Sequence, residues 1–184
     1  MPSKQPRKDQ AIPGHRTWPQ SLLDGKKAGP ALQVLAEEGN PDAILVNALS
    51  KIGPDFAYAA ISLPTFPGQS RNVVLKVDEA HPDVSGVWML GATNDGFAGI
   101  DSVDVYNLKK PVAIHVYALD AGSKKNSEKK EFTAALGGRS LDPEDGVITR
   151  HEGIRGDADI PASYKFDPKA PVGRITITPL KAAS

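Results

Sequence analysis

The chain has 184 residues, of which 40% are hydrophobic and 24% are charged, a balance that suits one well-cored domain and argues against wholesale disorder. Its 22 basic residues offset 22 acidic ones, so no net charge is available to hold a nucleic acid. Cysteine is absent, which excludes disulfides, zinc–thiolate sites and thiol nucleophiles.

The two ends of the chain differ in composition from its body. Residues 1–16 are polar and aperiodic and predict a flexible arm, residues 17–180 a single domain, and residues 181–184 a tail. The first 15 residues lack the apolar core, about seven residues or more, of a secretory signal. No stretch approaches the roughly 18 apolar residues of a membrane span, so we expect none.

Helices are predicted first along the chain. Good helix formers run from Pro30 to Glu38 and stop at Gly39, a residue type that ends helices. Asn40 is a suitable cap for a second helix, whose apolar stripe extends to Ile52.

From Pro54 onwards the pattern is that of short strands separated by turns. The run Val112–Leu119 is apolar on both faces, which predicts a central strand covered on each side. Together the runs predict a mainly β fold, an antiparallel β-sandwich with a short helical insert near the N-terminus. The other predicted strands are Phe56–Leu63, Asn72–Val77, Val84–Leu90 and Arg174–Thr178, with a turn at Pro64–Gln69.

Two glycine-rich stretches, Thr93–Ser102 and Leu119–Ser123, each place a carboxylate in a loop beside an apolar run. Calcium takes six to eight oxygen ligands from carboxylates, carbonyls and water. Asp95 and Asp120 would supply the charge, with Asn94 as a neutral ligand. The alternative is that both stretches are only tight turns, and the spacing by itself favours that interpretation.

Longer segments carry a family resemblance. Gly91–Ser102 and Tyr117–Ser123 resemble the two signature stretches of the spondin N-terminal domain family. Pro30–Pro41 and His151–Pro161 are similar to its bacterial branch, and the similarity runs from about residue 18 to about residue 178. The resemblance implies a C2-like antiparallel β-sandwich that binds Ca²⁺ at one end. It also implies an exported or extracellular protein.

In the family, by this resemblance, the metal is held by aspartates that match Asp95 and Asp120 and by a third aspartate four positions after the second. Lys124 stands at that third position. A lysine offers only donors, so the site has either lost a ligand or takes another from Asn126, Glu128 or a neighbouring loop. Like-charge repulsion from the lysines that follow Asp120 would also weaken cation binding.

Other charged motifs have simpler interpretations. Lys124–Glu131 mixes acids and lysines and predicts a solvated loop. Asp157 and Asp159 are predicted to pair with nearby arginines. His151–Glu152 opens like a zinc-protease signature, but Arg155 stands where the second histidine is required.

The sequence therefore predicts a non-catalytic, calcium-binding module that acts in binding or adhesion. Its expected partner is a carbohydrate or an acidic surface. Two alternatives stay open: a structural interaction scaffold with a degenerate metal site, and a metal-assisted hydrolase. Family members usually begin with a paired strand that is not evident before residue 16, so the sequence also predicts self-association through an open sheet edge.

Overall fold

The computed structural model describes residues 25–46, 57 and 64–180. Three predicted features lie outside these residues: the arm at 1–16, the tail at 181–184, and all of the strand Phe56–Leu63 except residue 57.

The first predicted helix is confirmed. Helix α1 spans Pro30–Glu38, with its proline in the first turn, where the missing N–H costs nothing. Gly39 ends it with a left-handed φ of 70°, and its N–H donates to Leu35 O. Leu32, Leu35 and Ala36 form its buried face.

The second predicted helix begins as expected. Residues 42–46 are helical, and the N–H of Asp42 donates to Asn40 Oδ1 over 2.9 Å, which is the capping bond that the sequence predicted. Its predicted continuation to Ile52 lies outside the described residues.

The described residues form six strands in two antiparallel sheets. The first sheet has the order β1-β2-β4-β5, and the second pairs β3 with β6. With few helices, this is a β-rich fold, as predicted. The strands are β1 (Asp83–Met89), β2 (Gly96–Asp104), β3 (Val112–Val116), β4 (Leu119–Asp120), β5 (Thr149–Arg150) and β6 (Gly173–Ile177).

The predicted strand Val112–Leu119 is wrong as a single element. The chain leaves the second sheet after Val116 and enters the first at Leu119, so β3 and β4 belong to different sheets. The prediction that both faces are covered also fails for β3, because Ala113 and His115 are exposed. One face of β3 is therefore solvated, which is common in antiparallel sheets.

Two further boundaries differ from the predictions. The segment 72–77 is not a strand, although its residues favour one, because no neighbouring strand of the described chain pairs with it. The stretch Thr93–Ser102 is not wholly a loop, since β2 begins at Gly96. By contrast, Val84–Leu90 and Arg174–Thr178 are confirmed within one residue as β1 and β6.

Two hydrophobic clusters hold these elements together. One lies between α1 and the first sheet and includes Leu35, Phe97 and Leu119. The other joins Ala98 and Ile100 of β2 to Val116 of β3 and to partly buried residues of β1 and β6. The first cluster positions the ends of β2 and β4, where both predicted aspartates lie. Among the described residues, no helix has the length and apolarity needed to cross a membrane.

Candidate metal centre

Asp95 lies in the turn between β1 and β2. Thr93 shapes this turn: its Oγ1 donates to Leu90 O over 2.6 Å and accepts from the N–H of Gly96 over 2.9 Å. A Cβ at Gly96 would collide with the Thr93 side chain, so only glycine fits there. The turn is thus specified by local sequence and delivers Asp95 to the end of β2.

The Asp95 side chain is fully buried, and only one of its two carboxylate oxygens accepts hydrogen bonds from the described residues. Its Oδ2 accepts hydrogen bonds from the N–H groups of Ser123 and Lys124, each over 2.9 Å, and from Ser123 Oγ over 3.2 Å. Its Oδ1 has no hydrogen-bond partner among residues 25–46, 57 and 64–180. Because a buried acceptor without a partner is costly, this oxygen marks a position that favours a cation or a donor.

Asp120 ends β4 and is paired with Gly96 across the ladder. Its Oδ1 accepts from the N–H of Gly122 over 2.7 Å, and its Oδ2 accepts from Asn126 Nδ2 over 2.6 Å. Only 5% of the residue is exposed. Asn126 also reaches Glu152 Oε1 over 3.4 Å, so it bridges two carboxylates.

The two aspartates repel each other in a desolvated setting. Burial, with the charge of Asp120 as the next cause, raises the pKa of Asp95 from 3.8 to about 6. The hydrogen bonds from Lys124 and Ser123 oppose this rise without cancelling it. Asp95 is therefore ionised at neutral pH at an energetic cost that a bound cation would relieve.

The remaining predicted ligands are engaged in other bonds. Asn94 is 2% exposed and donates through Nδ2 to Lys125 O over 2.6 Å, which ties the two glycine-rich loops together. Glu128 accepts from three consecutive N–H groups, those of Arg155, Gly156 and Asp157, over 2.7, 2.8 and 3.3 Å. The Glu128 carboxylate thus fixes the loop after His151.

Lys124 does not direct its charge at the aspartates. Its N–H donates to Asp95 Oδ2, while its ammonium lies 3.0 Å from Glu37 Oε2 on α1. The Lys124 side chain is only 14% exposed, so this residue is not part of a solvated loop. The anticipated repulsion is reduced because Glu37 balances the ammonium charge.

The predicted arginine pairing holds for one of the two loop aspartates. Arg155 Nε lies 3.2 Å from Asp157 Oδ2. Asp159 instead accepts from the N–H of Lys130 over 2.8 Å, while its own N–H donates to Glu128 O over 3.0 Å. The loops around residues 128 and 157 are therefore fastened to each other by reciprocal bonds.

His151 is a further buried polar residue near Asp120, and its sequence context gave no reason to place it there. It follows β5 directly and is 3% exposed. Its Nδ1 accepts from the N–H of Gly153 over 3.0 Å, and its Nε2 has no partner in the part of the chain that the structure describes. Burial lowers the pKa of His151 despite the opposing charge of Asp120, so the ring is neutral at pH 7.

The hydrogen bond from the Gly153 N–H determines which ring nitrogen of His151 carries the proton. Because Nδ1 accepts a hydrogen bond, the proton of the neutral ring lies on Nε2. Nε2 is then a donor and presents no lone pair to a cation. His151 suits an oxygen ligand or a water beside the carboxylates better than it suits a metal ion.

The side chains at this site fit calcium only if main-chain oxygens or water molecules supply the remaining ligands. Within residues 25–46, 57 and 64–180, no group of three or more His, Asp or Glu side chains is arranged to hold a metal ion. Asp95 and Asp120 supply two carboxylates, and calcium accepts carbonyl oxygens, amide oxygens and water for the remainder. The unpartnered Asp95 Oδ1 is the observation that favours such a site.

Two comparisons with known proteins identify no relative of the chain. No protein-family model matches the chain, and a search of curated proteins finds no match. The spondin resemblance therefore stays a prediction from the sequence motifs.

Proposed function

We propose that this protein is a calcium-binding module of the spondin N-terminal type, a C2-like β-sandwich that acts in binding or adhesion and not in catalysis. The observation that carries the proposal is Asp95, which is fully buried beside a second carboxylate and whose Oδ1 finds no partner among the described residues. A buried anion in that situation is stabilised by a cation.

Asp95 Oδ1 and Asp120 are the proposed anionic ligands. Rotation of the Asn126 amide would replace its donor by its oxygen, since both lie on the same planar group. The site would then gain a third oxygen, which would replace the carboxylate that is missing because Lys124 stands at the third ligand position. Glu128 contributes indirectly, because its three main-chain bonds hold the loop that follows His151.

Calcium at this position would link the turn before β2 to the loop after β4. Both loops lie at the end of the first sheet, where the cation would reduce their freedom and leave coordination positions for an external oxygen ligand. A carbohydrate hydroxyl or a carboxylate on an acidic surface has the required chemistry. We therefore propose a role in adhesion and, from the family resemblance, an exported protein.

Thermal unfolding with calcium and with a chelator tests the proposal. Extracellular modules bind calcium with dissociation constants of about 10⁻⁴–10⁻³ M, so 10 mM calcium would stabilise the fold by about 1.4–2.7 kcal/mol. This corresponds to a rise in Tm of roughly 3–10 °C for a chain of this size. The variant Asp95→Asn should lose the rise.

The matched control is Glu144→Gln, which removes the same charge from an exposed side chain. The rise should persist in this variant. A calcium-dependent rise that survives in the double variant Asp95→Asn, Asp120→Asn would show that the ion binds elsewhere.

A structural scaffold without a metal is the second candidate, and the internal bonds favour it. Three donors already satisfy Asp95 Oδ2, and Gly122 and Asn126 satisfy Asp120. This candidate predicts an unchanged Tm in calcium and in chelator. Isothermal titration of the wild-type chain with calcium distinguishes the two, since a scaffold gives no saturable heat.

A further inference from the structure

Residues 72–77 form an exposed segment that has the composition of a strand, and no strand among the described residues pairs with it. Val74 is 76% exposed and Val73 49% exposed. From Val74 to Val77 the residues alternate between exposed and half-buried, with the two-residue period of a strand. In the described part of the chain, the main-chain groups of residues 70–77 make no hydrogen bonds with other main-chain groups. Segments of this kind favour pairing with another chain.

The sequence around Leu75 is complementary to itself in the antiparallel direction. If two copies pair with Leu75 opposite Leu75, Val73 of each copy lies opposite Val77 of the other, so the apolar positions match. Val74 lies opposite Lys76, which keeps the two lysines apart.

The ends of the same register match in charge. Asn72 lies opposite Asp78, and immediately beyond that pair Arg71 of each copy lies next to Glu79 of the other. A register centred one residue later would place Lys76 opposite Lys76. One centred a residue earlier would place Arg71 opposite Val77. Only the register centred on Leu75 combines apolar matching with opposite charges at both ends.

We propose that residues 72–78 pair antiparallel with the same segment of a second copy, in the register centred on Leu75. The dimer is two-fold symmetric, as most homodimers are. Because the ladder is short, dimerisation is weak and depends on protein concentration. It is independent of the calcium site.

Sedimentation of the full chain over a range of concentrations measures this dimer. The variant Arg71→Glu places two like-charged pairs at the ends of the ladder and should weaken dimerisation about tenfold. The double variant Arg71→Glu, Glu79→Arg restores opposite charges and should restore the wild-type constant. A wild-type chain that stays monomeric at millimolar concentration, or a double variant as weak as the single one, overturns the proposal.

Disulfide trapping tests the register, since the wild-type chain has no cysteine. The proposed register places residue 74 of one copy opposite residue 76 of the other, at a separation that a disulfide spans. A mixture of Val74→Cys and Lys76→Cys chains should therefore form mixed disulfide dimers faster than either variant alone forms its own. Equal rates in the mixture and in the separate variants would refute the register.

Discussion

The ammonium of Lys124 lies 3.0 Å from the carboxylate of Glu37, and both side chains are mostly buried. This ion pair connects the loop after β4 to helix α1. We predict that Glu37→Gln lowers the free energy of unfolding by about 1–2 kcal/mol, because it leaves Lys124 without its partner in a desolvated position. Urea unfolding measures the change.

The control for that prediction is Asp145→Asn, which removes the ion pair of Asp145 with Lys27. These side chains are 88% and 60% exposed. The loss should be under about 0.5 kcal/mol. Equal losses in the two variants would mean that the burial of Lys124 does not matter for its pairing.

Asp95 gives the stability a defined pH dependence in the absence of calcium. Its pKa is raised in the folded state to about 6, from 3.8, so the folded chain binds more protons between these values. Stability should therefore fall as the pH rises from about 4 to about 6, by a few kcal/mol. Asp95→Asn should remove this slope and, at pH 7 without calcium, raise the Tm above that of the wild type.

Calcium binding should show the complementary dependence. Protons compete with the cation for Asp95, so the calcium affinity should decline below about pH 6, towards tenfold per pH unit. Titration calorimetry at pH 5 and pH 7 measures this. An affinity that is the same at both values would exclude Asp95 as a ligand.

His151 should influence stability in the opposite direction. Its pKa is lowered by burial, so the unfolded chain binds a proton that the folded chain excludes. Stability should fall as the pH drops below about 6.5, the ordinary value for histidine. His151→Asn retains an acceptor for the N–H of Gly153 and does not titrate. In this variant the part of the Tm loss that comes from protonation of residue 151 should be absent.

Gly122 tests how closely the loop after β4 approaches its neighbour. Its φ is 67°, and a Cβ there would lie 2.7 Å from both Val147 N and Val147 O. Gly122→Ala should cost more than about 2 kcal/mol and weaken calcium binding, because the loop that follows Asp120 must move. Denaturant unfolding and calcium titration measure the two effects.

The matched substitution is Gly137→Ala. Gly137 has a φ of 84°, and a Cβ added there would have no atom within 4 Å, so only the backbone cost of about 1 kcal/mol applies. If Gly122→Ala and Gly137→Ala lower the free energy of unfolding by the same amount, the contact with Val147 is not the reason that residue 122 must be glycine.

Local signals in the sequence predicted local structure well. Pro30 and Gly39 mark the ends of α1, and the alternation at 174–178 matches β6 within one residue. These features depend on neighbouring residues along the chain. Asp95 and Asp120 were likewise predicted at the ends of apolar runs, and the structure places both at the end of the first sheet.

Long-range partners could not be predicted in the same way. The break after Val116 depends on β6, nearly 60 residues later, and the isolation of residues 72–77 depends on the absence of a neighbour in the described chain. Similarly, the charge of Lys124 was expected near the aspartates, but Glu37, far away in sequence, binds it. The burial of His151 follows from the β4–β5 ladder and its contact with Phe166, which no local pattern indicates.

The passage of the chain from β3 to β4 has a mechanical consequence. One stretch, residues 112–120, is anchored at one end in the β3–β6 sheet and at the other in the four-stranded sheet, where it finishes at Asp120. We expect tension applied to β6 to reach the aspartate along this stretch. The proposed cation, held by Asp95 and Asp120 at the end of the four-stranded sheet, would then anchor this stretch against that pull.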